Sequence, residues 1–158
     1  MTSYSYFKHP LIDKLLLIAS PTELIGIYFA DWKHTPAIDR DWKLDPKQPI
    51  LKEAAKQIED YLIGKRIKFS IPLHFEGTDF QRKVWKQLQA IPFGETISYS
   101  ELARRAGNPQ AIRAAGSANA KNPFCIIVPC HRVIAKDGTI GGYAGGLARK
   151  RDLLALEK

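Results

Sequence analysis

The pattern that decides the fold lies in residues 98–120, which read SYSELARRAGNPQAIRAAGSANA. The opening Ser-Tyr-Ser-Glu is a capping-box signature, and Gly107 is suited to end the helix that it starts. Asn108-Pro109 then matches an N-cap followed by proline at the first helical position, which predicts a second helix through about Asn119. Two short helices joined by so tight a turn make a helix-turn-helix.

The second of these helices consists mostly of small residues and has Arg113 as its one long cationic side chain. A face of small residues lets a helix approach a phosphate backbone or another helix closely, and the sequence leaves both interpretations open. A single arginine on such a surface is suited to entering a groove or a base stack of DNA. A transcription factor that reads the major groove normally presents more base-reading side chains and dimerises.

The segments before the helix-turn-helix predict a core helix and, further upstream, a small α+β unit. Thr78 is suited as the N-cap of a helix whose apolar stripe runs to Ile91. Apolar runs and turn residues predict the upstream elements: strands at 15–18 and 24–29, a loop at 31–49, a helix at 50–62 and an edge strand at 67–75. This part offers no paired carboxylates and no metal-ligand spacing, so we interpret it as structural.

Downstream, the apolar run Ile126-Ile127-Val128 predicts a short buried strand that Pro129 stops, followed by Cys130-His131-Arg132. A thiol is a nucleophile as the thiolate, and a neighbouring imidazole and guanidinium both favour that form. The segment is therefore typical of a nucleophile at a rigid strand end. The alternative is a buried structural cysteine before a surface His-Arg pair, and these residues alone do not decide between the two.

The C-terminal segment predicts a hairpin, a flexible loop and a last helix. Residues 134–140 predict the hairpin around an Asp-Gly pair, and residues 141–146 contain four glycines in six positions. Such a loop lets backbone groups reach a ligand, and it lacks the GxxxxGK form of a nucleotide-phosphate loop. The helix over residues 147–157 brings Glu157 near the C-terminus, as a candidate to orient His131. The sequence alone favours an exposed terminal glutamate.

The charge of the chain is concentrated in its second half. The 158 residues include 24 Lys and Arg against 16 Asp and Glu, a net charge of +8. Residues 77–158 hold 13 basic and 6 acidic side chains, which leaves +7 on that half. A basic domain with a nucleophile indicates a polyanionic substrate, nucleic acid first, although a solvated surface has the same composition. Two cysteines five positions apart exclude a disulfide scaffold and favour a reducing compartment, and no run is long enough to span a membrane.

The motif Pro129-Cys130-His131-Arg132-Val133, with Asn122-Pro123 before it and Gly142-Tyr143-Ala144-Gly145-Gly146 after it, resembles the O6-alkylguanine–DNA alkyltransferase family. The resemblance covers the second half of the chain, and the first half is similar in size and pattern to the family's N-terminal domain. It implies an α+β fold with a small, ribonuclease H-like N-terminal α/β domain over residues 1–76. Residues 77–158 would form a mainly helical, winged helix-turn-helix-like domain that carries the active-site cysteine and binds DNA.

The resemblance implies direct reversal of DNA damage. Members transfer the alkyl group of O6-alkylguanine, and less readily that of O4-alkylthymine, irreversibly to their own cysteine. The damaged nucleotide is flipped out of double-stranded DNA, and each protein molecule is consumed once. The implied protein is a cytoplasmic monomer without a cofactor, a membrane or an obligate protein partner.

The resemblance also assigns catalytic roles to residues of this chain. Cys130 would be the acceptor, His131 the base that draws its proton through a water, and Glu157 the group that holds the histidine. Asn122 would brace the turn before the active site. Tyr99 would help rotate the nucleotide and donate a proton to the base as it leaves.

Further residues correspond to the family's DNA-binding and base-binding positions. Arg113 would fill the vacated place in the base stack. Neighbouring positions of its helix would lie against DNA, namely Ala114, Gly116 and Ser117, together with Tyr99. The pocket for the base would be lined by Val133, Tyr143, Ala144 and Gly145.

The sequence departs from the family's pattern in three respects. Its first half has no cysteine, so we expect no zinc or other metal site of the kind that some members carry. Cys125 stands where some members have a proline in the pocket lining, which would alter the tolerance for bulky alkyl groups. Ala144 replaces a serine of other members and keeps the backbone N–H.

Two other classes of function remain as alternatives. A lesion-binding module of the alkyltransferase-like kind would lack the acceptor cysteine, and Cys130 argues against it. A cysteine hydrolase with Cys130, His131 and Glu157 would turn over repeatedly. Adjacent Cys and His residues on one strand point to opposite faces, which disfavours the direct contact that such a hydrolase needs.

Overall fold

A four-stranded sheet organises the first of two structural units, residues 1–75. A computed structural model describes all 158 residues of the chain. Three strands form an antiparallel meander, and the fourth is short and pairs in parallel with the first, giving the order β3-β2-β1-β4. They are β1 (Ser3–His9), β2 (Asp13–Ala19), β3 (Leu24–Phe29) and β4 (Lys43–Leu44).

Helix α1 (Pro49–Leu62) packs on the three long strands. It starts as helical sequences commonly do, with Pro49 in the first turn and the side chain of Gln48 accepting a hydrogen bond from the Leu51 N–H. One stripe of the helix is buried, which supplies the core of the unit: Leu51, Ala54, Gln57, Ile58, Tyr61 and Leu62. The predicted helix at 50–62 is confirmed.

The second unit, residues 76–158, is mainly helical. Four helices follow one another around a two-stranded parallel sheet of β5 (Ile97–Ser98) and β6 (Val133–Ile134). They are α2 (Asp79–Gln89), α3 (Tyr99–Arg105), α4 (Ile112–Ala120) and α5 (Leu147–Leu156). A single 3₁₀ turn, Cys130–Arg132, precedes β6.

Helix α2 holds the helix-turn-helix in place. It begins with a reciprocal capping box between Thr78 and Gln81, and its Val84, Trp85 and Leu88 are buried. The indole N–H of Trp85 donates to the backbone carbonyl of Ala118 in α4, at 2.8 Å. This buried bond ties the second helix of the motif to α2.

Helix α4 begins later than the Asn108-Pro109 pattern predicts. The Asn108 carbonyl accepts from the Ala111 N–H at 3.0 Å, and its side chain accepts from the Gln110 N–H at 3.2 Å. These bonds close a turn, so the helix starts at Ile112 without a side-chain cap. Gly107, at φ +92°, supplies the left-handed residue that ends the preceding helical segment.

The predicted edge strand at 67–75 and the predicted hairpin at 134–140 are both wrong. Residues 67–75 form no strand. Their one pairing with the sheet is an isolated parallel β-bridge between Leu73 and Leu24. Pro72 has no N–H to donate, so the pairing cannot extend through it. Residues 134–140 turn around Asp137-Gly138, but β6 pairs with β5 instead of with a second hairpin strand.

The structure contains no helix with both the length and the apolar character that crossing a bilayer would require. It also contains no group of three or more His, Cys, Asp or Glu side chains arranged to hold a metal ion.

We predict that Trp85→Phe lowers the free energy of unfolding by about 1–3 kcal/mol, because it removes the bond to Ala118 and part of a buried ring. Denaturant unfolding followed by circular dichroism measures the change. The same substitution at Trp42, which is half-buried and contacts the ring of Tyr4, is the matched control. An equal loss in both variants would show that the bond to α4 contributes nothing.

Candidate active site

The segment before the 3₁₀ turn is a tight, buried turn where the sequence predicted a strand. The Ile127 N–H donates to the Cys125 carbonyl at 2.9 Å, and Ile126 between them has φ +75°. This is a γ-turn with a left-handed central residue, a conformation that costs a β-branched side chain about 1–3 kcal/mol. Ile126 is only 1% exposed, so burial of its side chain opposes that cost.

A second γ-turn leads directly into the cysteine. Pro129 has φ −81° and ψ 66°, and the Cys130 N–H donates to the Val128 carbonyl at 2.8 Å. These angles are those of the common inverse γ-turn, which the proline ring favours. Cys130 therefore begins a 3₁₀ turn, not the end of a strand, and the strand prediction for residues 126–128 is wrong.

Asn122 closes the whole segment with its side chain. Its amide N–H groups donate to the carbonyls of Val128, at 2.7 Å, and Phe124, at 3.3 Å. Its side-chain oxygen accepts from the Phe124 N–H at 2.9 Å. One side-chain amide thus supplies hydrogen bonds to buried backbone groups of Phe124 and Val128 that have no partner strand.

His131 follows the cysteine and is fully buried, at 0% exposed. Its Nε2 lies 2.8 Å from Oε2 of Glu157, and its Nδ1 is buried with no hydrogen-bond partner in the protein. Because a carboxylate only accepts, Nε2 carries the proton and Nδ1 has the free lone pair. Burial lowers the pKa of His131, against the opposite effect of Glu157, so the imidazole is a neutral base.

Glu157 lies at the C-cap of α5 and is 3% exposed, contrary to the exposed position that the sequence alone favours. Its two oxygens accept from Arg132, Nε to Oε1 and Nη2 to Oε2, both at 2.8 Å. The Arg132 guanidinium therefore binds the carboxylate, and the expectation that it acts on the thiol is wrong.

The Cys130 side chain is buried, which raises the pKa of its thiol to about 11. The Asn122 side chain and the charge of Lys150 act in the opposite direction. At neutral pH the thiol is therefore protonated, and attack by sulfur requires a base to remove the proton.

Lys150 is the cation that does act on the thiol, and the sequence analysis missed it. This side chain is 0% exposed, and its Nζ donates to the carbonyls of Val133, at 2.6 Å, and Gly142, at 3.0 Å. Burial lowers the pKa of Lys150 to about 8. Positions 150, 153 and 157 share one helical face, and that spacing was the available signal.

Tyr99 starts α3 and lies between α4 and the glycine-rich loop. A Cβ atom at Gly116 would lie 3.7 Å from the ring, and one at Gly141 only 3.0 Å from the phenolic oxygen. Burial and the nearby Cys130 raise the pKa of Tyr99, against a backbone hydrogen bond from Gly142. The phenol keeps its proton at neutral pH.

The residues expected to line the base pocket surround this cluster. Val133 is buried in β6, and the ring of Tyr143 lies edge-on to that of His131 with centroids 6.4 Å apart. Ala144 and Gly145 are half-buried in the turn before α5. Arg149 donates to the Gly145 carbonyl at 3.3 Å, which fastens the loop to the helix.

The small residues of α4 lie on two faces of the helix, one buried and one exposed. Ala115 and Ala118 are buried, whereas Arg113, Ala114 and Ser117 are exposed and Gly116 is half-buried. The alternatives of helix packing and close approach to a backbone thus fall on two faces of one helix. Arg113 stands near the start of the exposed face.

Both units match models of one family. Residues 2–75 match "6-O-methylguanine DNA methyltransferase, ribonuclease-like domain". Residues 79–158 match "6-O-methylguanine DNA methyltransferase, DNA binding domain".

Relatives and solved structures agree with these matches. The methylated-DNA–protein-cysteine methyltransferase of Methanosarcina barkeri is 45% identical over 155 residues, which cover 98% of this chain and 96% of the relative. That of Mycobacterium leprae is 44% identical over 147 residues, covering 93% and 87%. The crystal structure of Mycobacterium tuberculosis OGT in complex with DNA is similar with a TM-score of 0.90 at 41% identity, covering 99% of this chain and 92% of that one.

The chain belongs to the 6-O-methylguanine DNA methyltransferase family. The resemblance stated from the sequence is confirmed, and so is the α+β fold with a ribonuclease-like first domain and a mainly helical second domain. The second unit is a DNA-binding domain, and alkyl-transfer DNA repair is the function of the family.

We predict that, without DNA, Cys130 reacts with iodoacetamide at pH 7 at least about 100-fold more slowly than free cysteine, because its thiol pKa is about 11. The rate should rise about tenfold per pH unit up to pH 10. Lys150→Met should slow the reaction further at pH 7, and Lys136→Met, at an exposed position, should not. Mass spectrometry of the Cys125→Ser protein follows the single remaining thiol, and a fast reaction at pH 7 would contradict the buried, protonated state.

Proposed function

We propose that this protein repairs O6-alkylguanine in double-stranded DNA by moving the alkyl group to Cys130. The observation that carries the proposal is a buried thiol followed directly in the chain by a neutral, buried histidine. The Nδ1 of that histidine has no hydrogen-bond partner in the protein, so its lone pair is available to take up a proton. Alkyl transfer from methylated DNA to a protein cysteine is the activity for which the relatives are named. O4-alkylthymine is the slower substrate.

The first step moves one proton. The thiol proton of Cys130 passes to Nδ1 of His131, through a water, and leaves a thiolate. The imidazolium that forms keeps its Nε2–H on Glu157, whose carboxylate stabilises the new positive charge. Lys150 stabilises the thiolate by charge.

The second step exchanges two bonds. The thiolate sulfur attacks the alkyl carbon and forms a C–S bond, while the C–O6 bond breaks and its electron pair stays on guanine. Tyr99, which keeps its proton in the buried site, donates that proton to the departing base. The product is an uncharged thioether without a path back to a thiol, so each molecule acts once.

Access to the alkyl carbon requires the nucleotide to leave the stack, at a cost of a few kcal/mol that is smaller for a damaged pair. Arg113 is exposed near the start of α4 and fills the vacated place, with Ala114, Gly116, Ser117 and Tyr99 close to the DNA. Val133, Tyr143, Ala144 and Gly145 hold the flipped base. Residues 77–158 thus bind DNA and carry out the transfer, and residues 1–76 are structural.

The remaining proposals concern the state of the protein. We propose a monomer without a cofactor or an obligate protein partner, because every residue invoked in the reaction lies on one chain. A cytoplasmic, reducing location suits a reaction that needs a free thiol at Cys130, which forms no disulfide in the structure.

We predict a gain of one methyl group per molecule, and no more, when the protein is mixed with duplex DNA that contains one O6-methylguanine. Intact mass measures the gain. Cys125 and Cys130 share the tryptic peptide 122–132, so fragment ions or the Cys125→Ser variant must locate the group. Cys130→Ser should bind the DNA without gaining mass.

Four outcomes would contradict this prediction. A methyl group on Cys125, or a gain in Cys130→Ser, would remove Cys130 from its role. Tight binding without any mass gain in the unmutated protein would make it a lesion-binding module. Repeated turnover of esters or peptides would favour the hydrolase.

We predict that Arg113→Ala slows repair in duplex DNA by about tenfold or more and leaves the reaction with free O6-methylguanine within about twofold. The arginine acts on the DNA and not on the bond that breaks. Single-turnover mass measurements with both substrates provide the comparison. Lys83→Ala, which removes an exposed cation from α2, is the control for charge alone, and equal losses with both substrates would exclude a role in flipping.

A further inference from the structure

Arg132 joins three separate segments around the active-site turn. Its guanidinium donates to both oxygens of Glu157 at the end of α5, and its Nη1 donates to the Ile91 carbonyl after α2, at 2.6 Å. The group also lies 5.8 Å from the ring centroid of Phe93. Arg132 is itself only 6% exposed, so the surrounding side chains and backbone hold the guanidinium in this geometry.

The carboxylate of Glu157 therefore has two cationic or potentially cationic neighbours. Oε2 accepts from both His131 and Arg132, and Oε1 also accepts from Arg132. A buried carboxylate without the guanidinium would leave its negative charge for the imidazole to balance. The histidine would then take up a proton and could no longer act as a base.

We propose that Arg132 is a positioning residue that neutralises Glu157 and holds it against Nε2, so that His131 stays uncharged with Nδ1 as the base. The inference rests on the proposed function, because it assigns to Arg132 the preparation of the base that Cys130 needs. It gives the carboxylate two separate duties: fixing the tautomer before the reaction and stabilising the imidazolium during it.

The groups that face His131 agree with this division. From α5 come Glu157, which favours the charged imidazole, and Lys150, which disfavours it. The 3₁₀ turn that contains His131 also contributes Arg132, which disfavours the charged imidazole, and the neutral Cys130 thiol. The glycine-rich loop contributes the ring of Tyr143. The pKa of His131 lies below its ordinary value, with burial as the largest cause.

The test is the pH profile of methyl transfer from the free base O6-methylguanine, which separates the chemistry from DNA binding. Arg132→Met should reduce the rate most at low pH, by about tenfold or more at pH 6, and approach the unmutated rate towards pH 9. The sign follows from the base: with a raised histidine pKa, its active neutral form returns as the pH rises. Arg151→Met, at an exposed arginine of α5, should leave the profile unchanged.

A second variant separates the charge from the packing. Arg132→Met combined with Glu157→Gln removes the uncompensated carboxylate, so its transfer should lose the acid-side defect even where its overall rate is low. It also keeps the test available where Arg132→Met alone does not fold, because no lone charge remains buried.

Each outcome decides between the possibilities. A loss of the same factor at every pH in Arg132→Met, or an acid-side defect that persists in the double variant, would overturn the role of Arg132. Failure of the proposed function is distinct, since the unmutated protein would then gain no methyl group at any pH. NMR can also follow the titration of the His131 imidazole directly. The same titration curve in Arg132→Met and in the unmutated protein would overturn the proposal.

Discussion

One buried carboxylate is the interaction on which the active site depends. Glu157 fixes the tautomer of His131, receives the Arg132 guanidinium, and links the end of α5 to the catalytic turn. An isolated buried charge is strongly unfavourable, but here each oxygen is hydrogen-bonded and the charge is balanced. The helix that ends at Glu157 also brings Lys150 to the thiol, so one element delivers charge to both sides of the turn.

The resting site is kept unreactive by the same burial that prepares it. The thiol stays protonated, the imidazole neutral and the phenol of Tyr99 protonated, each because charge is disfavoured there. A permanently exposed thiolate would be open to oxidants and unrelated electrophiles. In the proposed reaction each molecule uses the Cys130 thiol once, so a thiol that becomes a thiolate only when the substrate is bound limits side reactions.

Local signals predicted the helices, and long-range contacts determined what the sequence analysis missed. The caps at Thr78 and Ser98 lie next to the helices they start, so α2 and α3 were predictable. Strand β1 was not predicted, although it forms a local antiparallel hairpin with β2, because its Ser and Tyr residues show no apolar alternation and the small Ser3 and Ser5 occupy the buried positions. A β-branched run favours a strand, and the left-handed conformation of Ile126 depends on packing that the run does not encode. The motif located Cys130 and His131, but not the partner of Arg132, which lies 25 residues away.

The number of residues between Lys150 and Glu157 fixes both the distance between these two side chains and the face of α5 that they share. Seven residues at 1.5 Å each separate the two side chains by about 10 Å along the axis, on one face. A single residue inserted between them would rotate one relative to the other by about 100°, so the face would no longer present both. The length of this stretch is therefore as constrained as its composition, and neutral drift in α5 is open to substitution on its outer face but closed to insertion or deletion.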